Sequence, residues 1–277
     1  MIEHPPSHHP LLALAVRAAT AAAGVIRAAA ADPGKHQIRQ KQPNDFVTEV
    51  DIASEQVIVD ILLADHPGHC VRGEESAQKH GNPRSDHVWI VDPLDGTTNF
   101  IHGYPQYSVS IALAVRGRIE HGVVLDVSAD ALFCASRGQG ATCNGQRLRV
   151  SERAGLDGAL LATSCPPRLA PDFARSVEML GVVMGRVAAI RRSGSAALDL
   201  ARVAAGQCDG SFDQGLSAWD VAAGSLLVEE AGGRVGNFLG APDYLETREC
   251  MTGAPAVFDA MRDVLAPYSR CARSLKG

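Results

Sequence analysis

Two carboxylates three residues apart dominate the chemistry that this sequence could perform. Asp92 and Asp95 follow a short apolar run, Val88–Val91, which predicts a buried strand that ends abruptly in a tight loop. Pro93 stiffens that loop, and Gly96 allows the backbone to approach a ligand closely. Carboxylate and carbonyl oxygens at this spacing suit hard divalent cations. The loop therefore indicates a metal site, although the same two aspartates could instead be a turn residue and a helix cap.

The residues after Asp95 could complete a phosphate site. Gly96-Thr97-Thr98 could open a helix whose free N–H groups hold an anion. Metal ions and a phosphate group would then meet at one point.

The composition narrows the class of partner. The chain has 277 residues, of which 46% are hydrophobic and 21% charged, with a net charge of −5. This mild acidity argues against nucleic acids and anionic membranes as partners, so an anionic substrate would need positive charge from a bound metal. The seven cysteines include no C-x-x-C pair, which is typical of reduced thiols in a cytoplasmic protein.

The elements that must position these residues differ between the two halves. In residues 1–150, a half-buried helix over 11–31 and a second helix over 48–65 precede strands over 109–115, 119–127 and 131–136. Arg17 and Arg27 interrupt the first apolar stretch, which favours a core helix over a signal peptide. Asn144-Gly145 is a strong hairpin signal. The first half therefore predicts helices packed on a largely antiparallel sheet.

Residues 151–277 alternate between strands and helices instead. The predicted strands are 160–163, 187–190, 209–212, 234–237 and 250–252, and the predicted helices are 172–180, 195–205, 217–231 and one from Pro255. Gly232-Gly233 ends the third of these helices as a left-handed C′ residue does. We therefore expect an α+β fold, a layered αβαβα sandwich whose C-terminal half alternates α/β, as one compact unit with a soft boundary near residue 150.

Four segments, in order, closely resemble the inositol monophosphatase family. They are Asn44–Asp51, Gly73–Ser76, Trp89–Phe100, and Trp219–Gly224 followed by Glu229–Gly233. Together they span about residues 40–235, and four ordered matches are far more specific than one.

The resemblance implies a carboxylate cluster that holds two to three Mg²⁺ around the substrate phosphate. It places Glu74, Asp92 and the Leu94 carbonyl on the first metal, and Asp92, Asp95 and Asp220 on the second. Glu74 would also help a third metal through waters. Two such metals can clamp both the attacking and the leaving oxygen of an in-line displacement. Most of the ligands would thus come from residues 1–150, and Asp220 with the substrate contacts from 151–277.

The same resemblance makes water the nucleophile. It would be activated near Glu74 and oriented by Thr97 and Asp51. Thr48-x-x-Asp51 is also a helix capping box, and the two roles can coexist because Thr97 needs only the second carboxylate oxygen. Asp220, at the start of a helix, could likewise be a cap, but its position matches the metal ligand of the family.

Substrate contacts are also implied by the resemblance. They are Asp95, Gly96, Thr97, Gly194, Ser195, Ala196 and Asp213. Many members carry Glu at the position of Asp213, where it binds a sugar hydroxyl, and animal members carry His at the position of Ser217. These two differences leave the preference for inositol phosphate open. No matched motif makes His102 or His121 a catalyst, and Arg191-Arg192 is typical of a solvated strand end or a dimer contact.

The leading hypothesis is therefore Mg²⁺-dependent hydrolysis of inositol monophosphate or a related small monoester. The same motifs serve fructose bisphosphate, phosphoadenosine phosphate or histidinol phosphate in relatives. A different hypothesis is a regulatory protein that binds the transcription machinery, as some bacterial members do. The resemblance also implies a cytoplasmic homodimer that is inhibited by lithium.

Overall fold

The computed structural model describes residues 9–31, 38–42, 45–76, 80–164 and 173–270, with the backbone alone at 38–42 and 45–47. The helices in this part of the chain are α1 (Pro10–Ala30), α2 (Glu49–Asp65), α3 (Thr97–Ile101), α4 (Phe173–Met184), α5 (Ala196–Ala204), α6 (Ala218–Glu230), α7 (Tyr244–Thr247) and α8 (Pro255–Leu265), followed by a 3₁₀ turn at Ala266–Tyr268. The strands are β1 (Ile38–Gln42), β2 (Asp45–Thr48), β3 (Cys70–Gly73), β4 (His80–Gly81), β5 (His87–Asp95), β6 (Ser108–Val115), β7 (Arg118–Asp126), β8 (Ala131–Ser136), β9 (Gly140–Cys143), β10 (Gln146–Arg147), β11 (Leu160–Ala162), β12 (Ala189–Arg191), β13 (Gly210–Gln214), β14 (Arg234–Gly236) and β15 (Glu249–Gly253).

Two sheets have different connectivity. The larger runs β10-β9-β8-β7-β6-β5-β3-β4, and every neighbouring pair in it is antiparallel except β3 with β5. The smaller runs β12-β11-β13-β15-β14, with β12, β11 and β13 parallel and the last two pairs antiparallel. The largely antiparallel first sheet and the alternating second half confirm the predicted fold class.

Three hydrophobic clusters divide these elements into five layers. The first cluster packs α1 and α2 against one face of the larger sheet. The second fills the space between the two sheets with α5 and α6. The third packs α4 and α8 on the outer face of the smaller sheet. The layers are those of the predicted αβαβα sandwich, in which each helix stripe and sheet face finds an apolar partner.

Helix α1 is a core helix. By length and composition it could cross a membrane, but half of its apolar window is buried inside the protein. Ala18, Ala22 and Ile26 are fully buried in the first cluster. The half-buried helix expected from the apolar stripe is confirmed.

The turns predicted from local sequence are present in the structure, whereas one strand pair was not predicted. Asn144 and Gly145 have φ of 47° and 80° and join β9 to β10, as the hairpin signal indicates. Gly232 ends α6 with φ of 91°. The antiparallel pair β1–β2 was not predicted, because its polar residues lack a clear apolar alternation. The five described cysteines are free thiols, whereas Cys165 and Cys271 lie outside the described residues.

Candidate metal centre and active site

The parallel pairing of β3 with β5 brings Glu74 beside Asp92. Gly73 lies opposite Val91 in the register, and the Glu74 N–H donates to the Val91 carbonyl at 3.1 Å. Asp92 follows Val91, and its Oδ1 accepts from the Leu94 N–H at 3.1 Å. Asp92 is therefore a turn residue, which is the alternative role that the sequence allows. Its second oxygen takes no part in that turn.

Helix α6 adds a third carboxylate. Asp220 lies in its first turn, and one oxygen accepts from the backbone N–H of Ser217 at 2.5 Å in a capping box. One oxygen each of Glu74, Asp92 and Asp220 lies within 4.8 Å of the other two. Asp220 is thus a cap and a member of the cluster at the same time.

Burial and mutual repulsion disfavour the charged forms of the aspartates in this cluster. Burial, followed by the charges of Glu74, Asp95 and Asp220, raises the pKa of Asp92 well above its usual value. Burial and the charge of Asp95 raise the pKa of Asp220 in the same way. Among the described side chains, no Lys, Arg or His forms an ion pair with Asp92, Asp95 or Asp220.

These oxygens fit a hard divalent cation. Hard divalent cations take carboxylate oxygens as ligands, and three carboxylates each offer one oxygen to a common point here. Residues that could hold Mg²⁺ here are Glu74, Asp92 and Asp220, with Asp95 close enough that its charge raises the pKa of two of them.

Asp95 also accepts hydrogen bonds at the N-terminus of a helix. That helix is α5 and not α3, the helix that follows Asp95 in the chain. Its Oδ2 accepts from the Ser195 hydroxyl at 2.6 Å and from the Ala197 N–H at 2.8 Å, at the N-terminus of α5. The side chain is 9% exposed, and burial raises its pKa while the bonds from Ser195 and Ala197 oppose that rise. A carboxylate at this end of a helix is favoured by the helix dipole.

Thr97 connects the loop to α2. Its Oγ1 lies 2.9 Å from Oδ1 of Asp51 and 3.1 Å from the Leu94 carbonyl, so both are acceptors for the hydroxyl proton. The other oxygen of Asp51 accepts from the N–H and hydroxyl of Thr48, at 2.8 and 2.5 Å, in the capping box of α2. The two oxygens of Asp51 are divided between the cap and Thr97 as the sequence analysis expected.

Comparison with known proteins bears on what this arrangement is. The model of the inositol monophosphatase family matches residues 7–269. The chain belongs to the inositol monophosphatase family. It is 45% identical over 262 residues to the Nus factor SuhB of Pseudomonas aeruginosa, covering 94% of this chain and 97% of that protein.

Solved structures of the family have the same fold. The extragenic suppressor protein suhB of Bartonella henselae superimposes with a TM-score of 0.89 at 38% identity, over 93% of this chain and 98% of that one. The inositol monophosphatase of Anabaena (Nostoc) gives a TM-score of 0.80 at 35% identity, over 93% of this chain and 95% of that one.

Glu55 supports the site and was missed by sequence reasoning. It is 3% exposed on α2, and its carboxylate accepts from the Glu75 N–H at 2.8 Å and from the Ser76 hydroxyl. A Cβ on Gly73 would lie only 2.1 Å from a Glu55 oxygen, so this family member needs glycine there. The signal in the sequence was an acid four residues after Asp51, on the same face of the helix.

The residues expected to contact substrate lie around the same loop. Gly96 has φ of 95°, and a Cβ there would lie 2.8 Å from the Gln106 carbonyl and 3.3 Å from that of Gly194. Ser195 is the N-cap of α5, and Ala196 is its first residue. The loop after β5 and the segment before α5 are therefore adjacent.

The side chain of Asp213, on β13, is hydrogen-bonded to Ser164, which follows the neighbouring strand β11. Its Oδ1 accepts from the Ser164 N–H and hydroxyl at 2.6 and 2.7 Å, and it is 3% exposed. Burial raises its pKa to about 6, against the hydrogen bonds from Ser164. The charge of Asp95 adds to this rise.

The histidines and arginines set aside earlier lie in structural or surface positions. His121 is buried, its Nδ1 lies 2.8 Å from the Ser136 hydroxyl, and burial lowers its pKa to about 4. His102 is exposed after α3, and Arg191 and Arg192 are exposed at the end of β12.

Proposed function

We propose that this chain hydrolyses a small phosphate monoester with Mg²⁺ held by Glu74, Asp92, Asp95, Asp220 and the Leu94 carbonyl. The observation that carries the proposal is the group of three carboxylate oxygens within 4.8 Å of one another, one directly after β3, one on the parallel strand β5 and one in the first turn of α6. Membership of the inositol monophosphatase family supports the same chemistry.

Mg²⁺, when bound, supplies positive charge that offsets the phosphate and favours ionisation of water. The residues of the chain orient the reactants. The Thr97 hydroxyl donates to Asp51 at 2.9 Å, which leaves a lone pair on Thr97 Oγ1 to accept a hydrogen bond from the attacking water. Glu74 takes one proton of that water as its oxygen bonds to phosphorus and the phosphorus–ester oxygen bond breaks. A second water protonates the departing ester oxygen and regains a proton from Glu74.

Inositol monophosphate is the first substrate we propose. Gly96, Thr97, Gly194, Ser195 and Ala196 border the metal centre and would face the phosphate and the ring. Fructose bisphosphate, phosphoadenosine phosphate and histidinol phosphate are the alternatives for the same chemistry. Because Asp213 holds Ser164 through one oxygen, only its second oxygen could reach a substrate hydroxyl.

The test is phosphate release from this panel of esters with and without Mg²⁺. Mg²⁺-dependent release from one preferred ester is expected. No release from any ester by the folded protein would overturn the proposal. Lithium inhibition and a homodimer by sedimentation are further proposals from the family resemblance. Cytoplasmic localisation, from the cysteine pattern, and the division into halves 1–150 and 151–277, from the order of strands and helices, are also proposals.

A second proposed function is regulation through a protein of the transcription machinery. It is favoured by the 45% identity to a protein named Nus factor SuhB. Asp95→Asn separates the two functions. A regulatory phenotype that survives complete loss of hydrolysis would show that binding does not depend on catalysis, whereas its loss with hydrolysis would tie regulation to the metal centre.

A further inference from the structure

One turn joins the loop after β5 to the start of α5. We name it the 193–195 turn, after Ser193, Gly194 and Ser195. The side chain of Asn99 donates to the Ser193 carbonyl at 2.9 Å and to the Gln106 carbonyl at 2.7 Å. At its other end, the Ser195 hydroxyl donates to Asp95 at 2.6 Å. The turn is therefore held both to the segment between β5 and β6 and to Asp95, a carboxylate of the proposed metal centre.

A third tie comes from inside the protein. The Ser193 hydroxyl donates to Oδ1 of Asp199 at 2.5 Å. Asp199 lies in the first turn of α5 and is 1% exposed. Its Oδ2 is buried without a hydrogen-bond partner among the described residues. Burying a carboxylate oxygen without a hydrogen-bond donor is most costly when the group is charged.

The surroundings of Asp199 favour the neutral acid. Burial raises its pKa to about 8, and the charges of Asp213 and Asp95 add to the rise, whereas Ser193 and Arg202 oppose it. A neutral carboxyl can still accept the Ser193 hydroxyl at one oxygen. Asp199 therefore holds the turn without adding a full charge beside the acidic cluster.

We propose that Asp199 is a positioning residue which, through Ser193, fixes the 193–195 turn and so sets the affinity of the centre for Mg²⁺ and for the phosphate ester. Asp199 itself touches neither ligand. Without this tie the turn shifts, the Ser195 hydroxyl leaves Asp95, and the loop that faces the substrate loses its shape. The inference rests on the proposed Mg²⁺-dependent phosphatase function, and its Mg²⁺ part can be measured without hydrolysis.

The test compares Asp199→Ala, Ser193→Ala and Asp199→Asn with wild type. Both alanine variants are expected to raise KM and the Mg²⁺ half-saturation about tenfold, the effect of one lost buried hydrogen bond. We expect kcat to change less than KM. The double variant is expected to be no worse than either single one, because both remove the same tie. Asparagine, an isostere of the neutral acid, is expected to restore both constants.

Mg²⁺ affinity is also measured by calorimetry on each variant, independently of hydrolysis. If wild type releases no phosphate, the proposed function fails, and the calorimetric shift still decides the role of Asp199. If Asp199→Ala does not fold, Ser193→Ala carries the test, because Ser193 is only half-buried on a turn.

Asp209 is the matched control. It is a buried carboxylate that accepts a serine hydroxyl, from Ser151 at 2.6 Å, immediately before β13. Asp209→Ala is expected to lower the unfolding temperature but leave KM and Mg²⁺ affinity unchanged. The proposal is overturned if Asp199→Ala and Ser193→Ala behave like Asp209→Ala, with lower stability and unaltered constants.

Discussion

Buried acids occur in two settings in this protein, and they differ in how their oxygens are satisfied. On α2, Asp51 and Glu55 accept hydrogen bonds from backbone N–H groups and hydroxyls through both of their oxygens. At the ends of β3 and β5 and the start of α6, the acids face one another instead, and burial together with their charges raises the pKa of Asp92 and Asp220.

We infer two roles from this difference: the acids on α2 stabilise the fold, whereas the clustered acids bind a ligand. Satisfied carboxylates fix a helix end or a loop and need nothing further. Carboxylates gathered close together destabilise the fold by repulsion, and a divalent cation removes that cost. The expected effects of substitution should therefore differ in kind between the two groups.

The largest effect is expected for Asp95→Asn. It weakens the metal centre directly, and we expect kcat/KM to fall at least ~10³-fold, since a metal supplies several kcal/mol of transition-state stabilisation. The measurement is initial-rate phosphate release at saturating Mg²⁺. Asp60→Asn, an exposed acid on α2, is the control and should retain wild-type rates. Equal rates for the two variants would show that Asp95 does not contribute to the proposed metal centre.

A smaller loss is expected for Thr97→Val. This change keeps the shape but removes the hydroxyl that lies between Asp51 and the proposed water, so kcat should fall about 10²-fold with little change in KM. Thr97→Ser keeps the hydroxyl and should retain much more activity. A valine variant as active as the serine variant would exclude water orientation by Thr97.

Glu55→Gln should affect stability more than rate. One of its two acceptor oxygens becomes a donor facing Glu75 N–H or Ser76, so the free energy of unfolding should fall by about 1–3 kcal/mol. Activity of the folded variant should fall only a few-fold, through Glu74 on the same loop. Urea denaturation and rate measurements on the same sample distinguish this from a loss of the metal centre.

A further effect concerns the pH dependence of stability in metal-free protein. A buried acid whose folded pKa is raised keeps a proton that the unfolded chain has lost, so stability falls as pH rises from the unfolded pKa to the folded one. The pKa of Asp213 is raised by burial to about 6 and that of Asp199 to about 8. We therefore expect the unfolding free energy to decline between pH 4 and 8.

Asp199→Asn should flatten the upper part of that curve. The wild-type decline from Asp199 between pH 6 and 8 is at most about 2.7 kcal/mol, two pH units at 1.36 kcal/mol each. Chemical denaturation with a chelator present at each pH measures it. A wild-type curve that rises with pH, or an asparagine variant with the same slope, would contradict the assignment.

Much of the site could be predicted from local sequence. The buried strand before Asp92, the left-handed Gly96 and the shared use of Asp51 follow from turn, capping and periodicity rules acting over a few residues. The predicted end of that strand was wrong, because β5 continues to Asp95 across a shift in its register with β6. The family resemblance then indicated Glu74 and Asp220 as partners of Asp92, and the register of β3 on β5 accounts for the first of these.

Contacts between distant segments could not be predicted in the same way. Asp95 caps a helix 100 residues further along the chain, and Glu55 binds a loop 20 residues away. Both contacts depend on how the layers stack, which no local pattern encodes. Asp199 looked like an ordinary acid in the first turn of a helix, and only its burial and its unpartnered oxygen set it apart.

Calorimetric titration of Mg²⁺ into metal-free protein tests the comparison most directly, with wild type, Asp92→Asn and Glu55→Gln side by side. We predict saturable binding to wild type, binding abolished or weakened at least tenfold in Asp92→Asn, and near-normal binding in Glu55→Gln. No binding to the folded wild type, or equal binding by Asp92→Asn, would contradict the claim that the clustered carboxylates form a divalent-cation site.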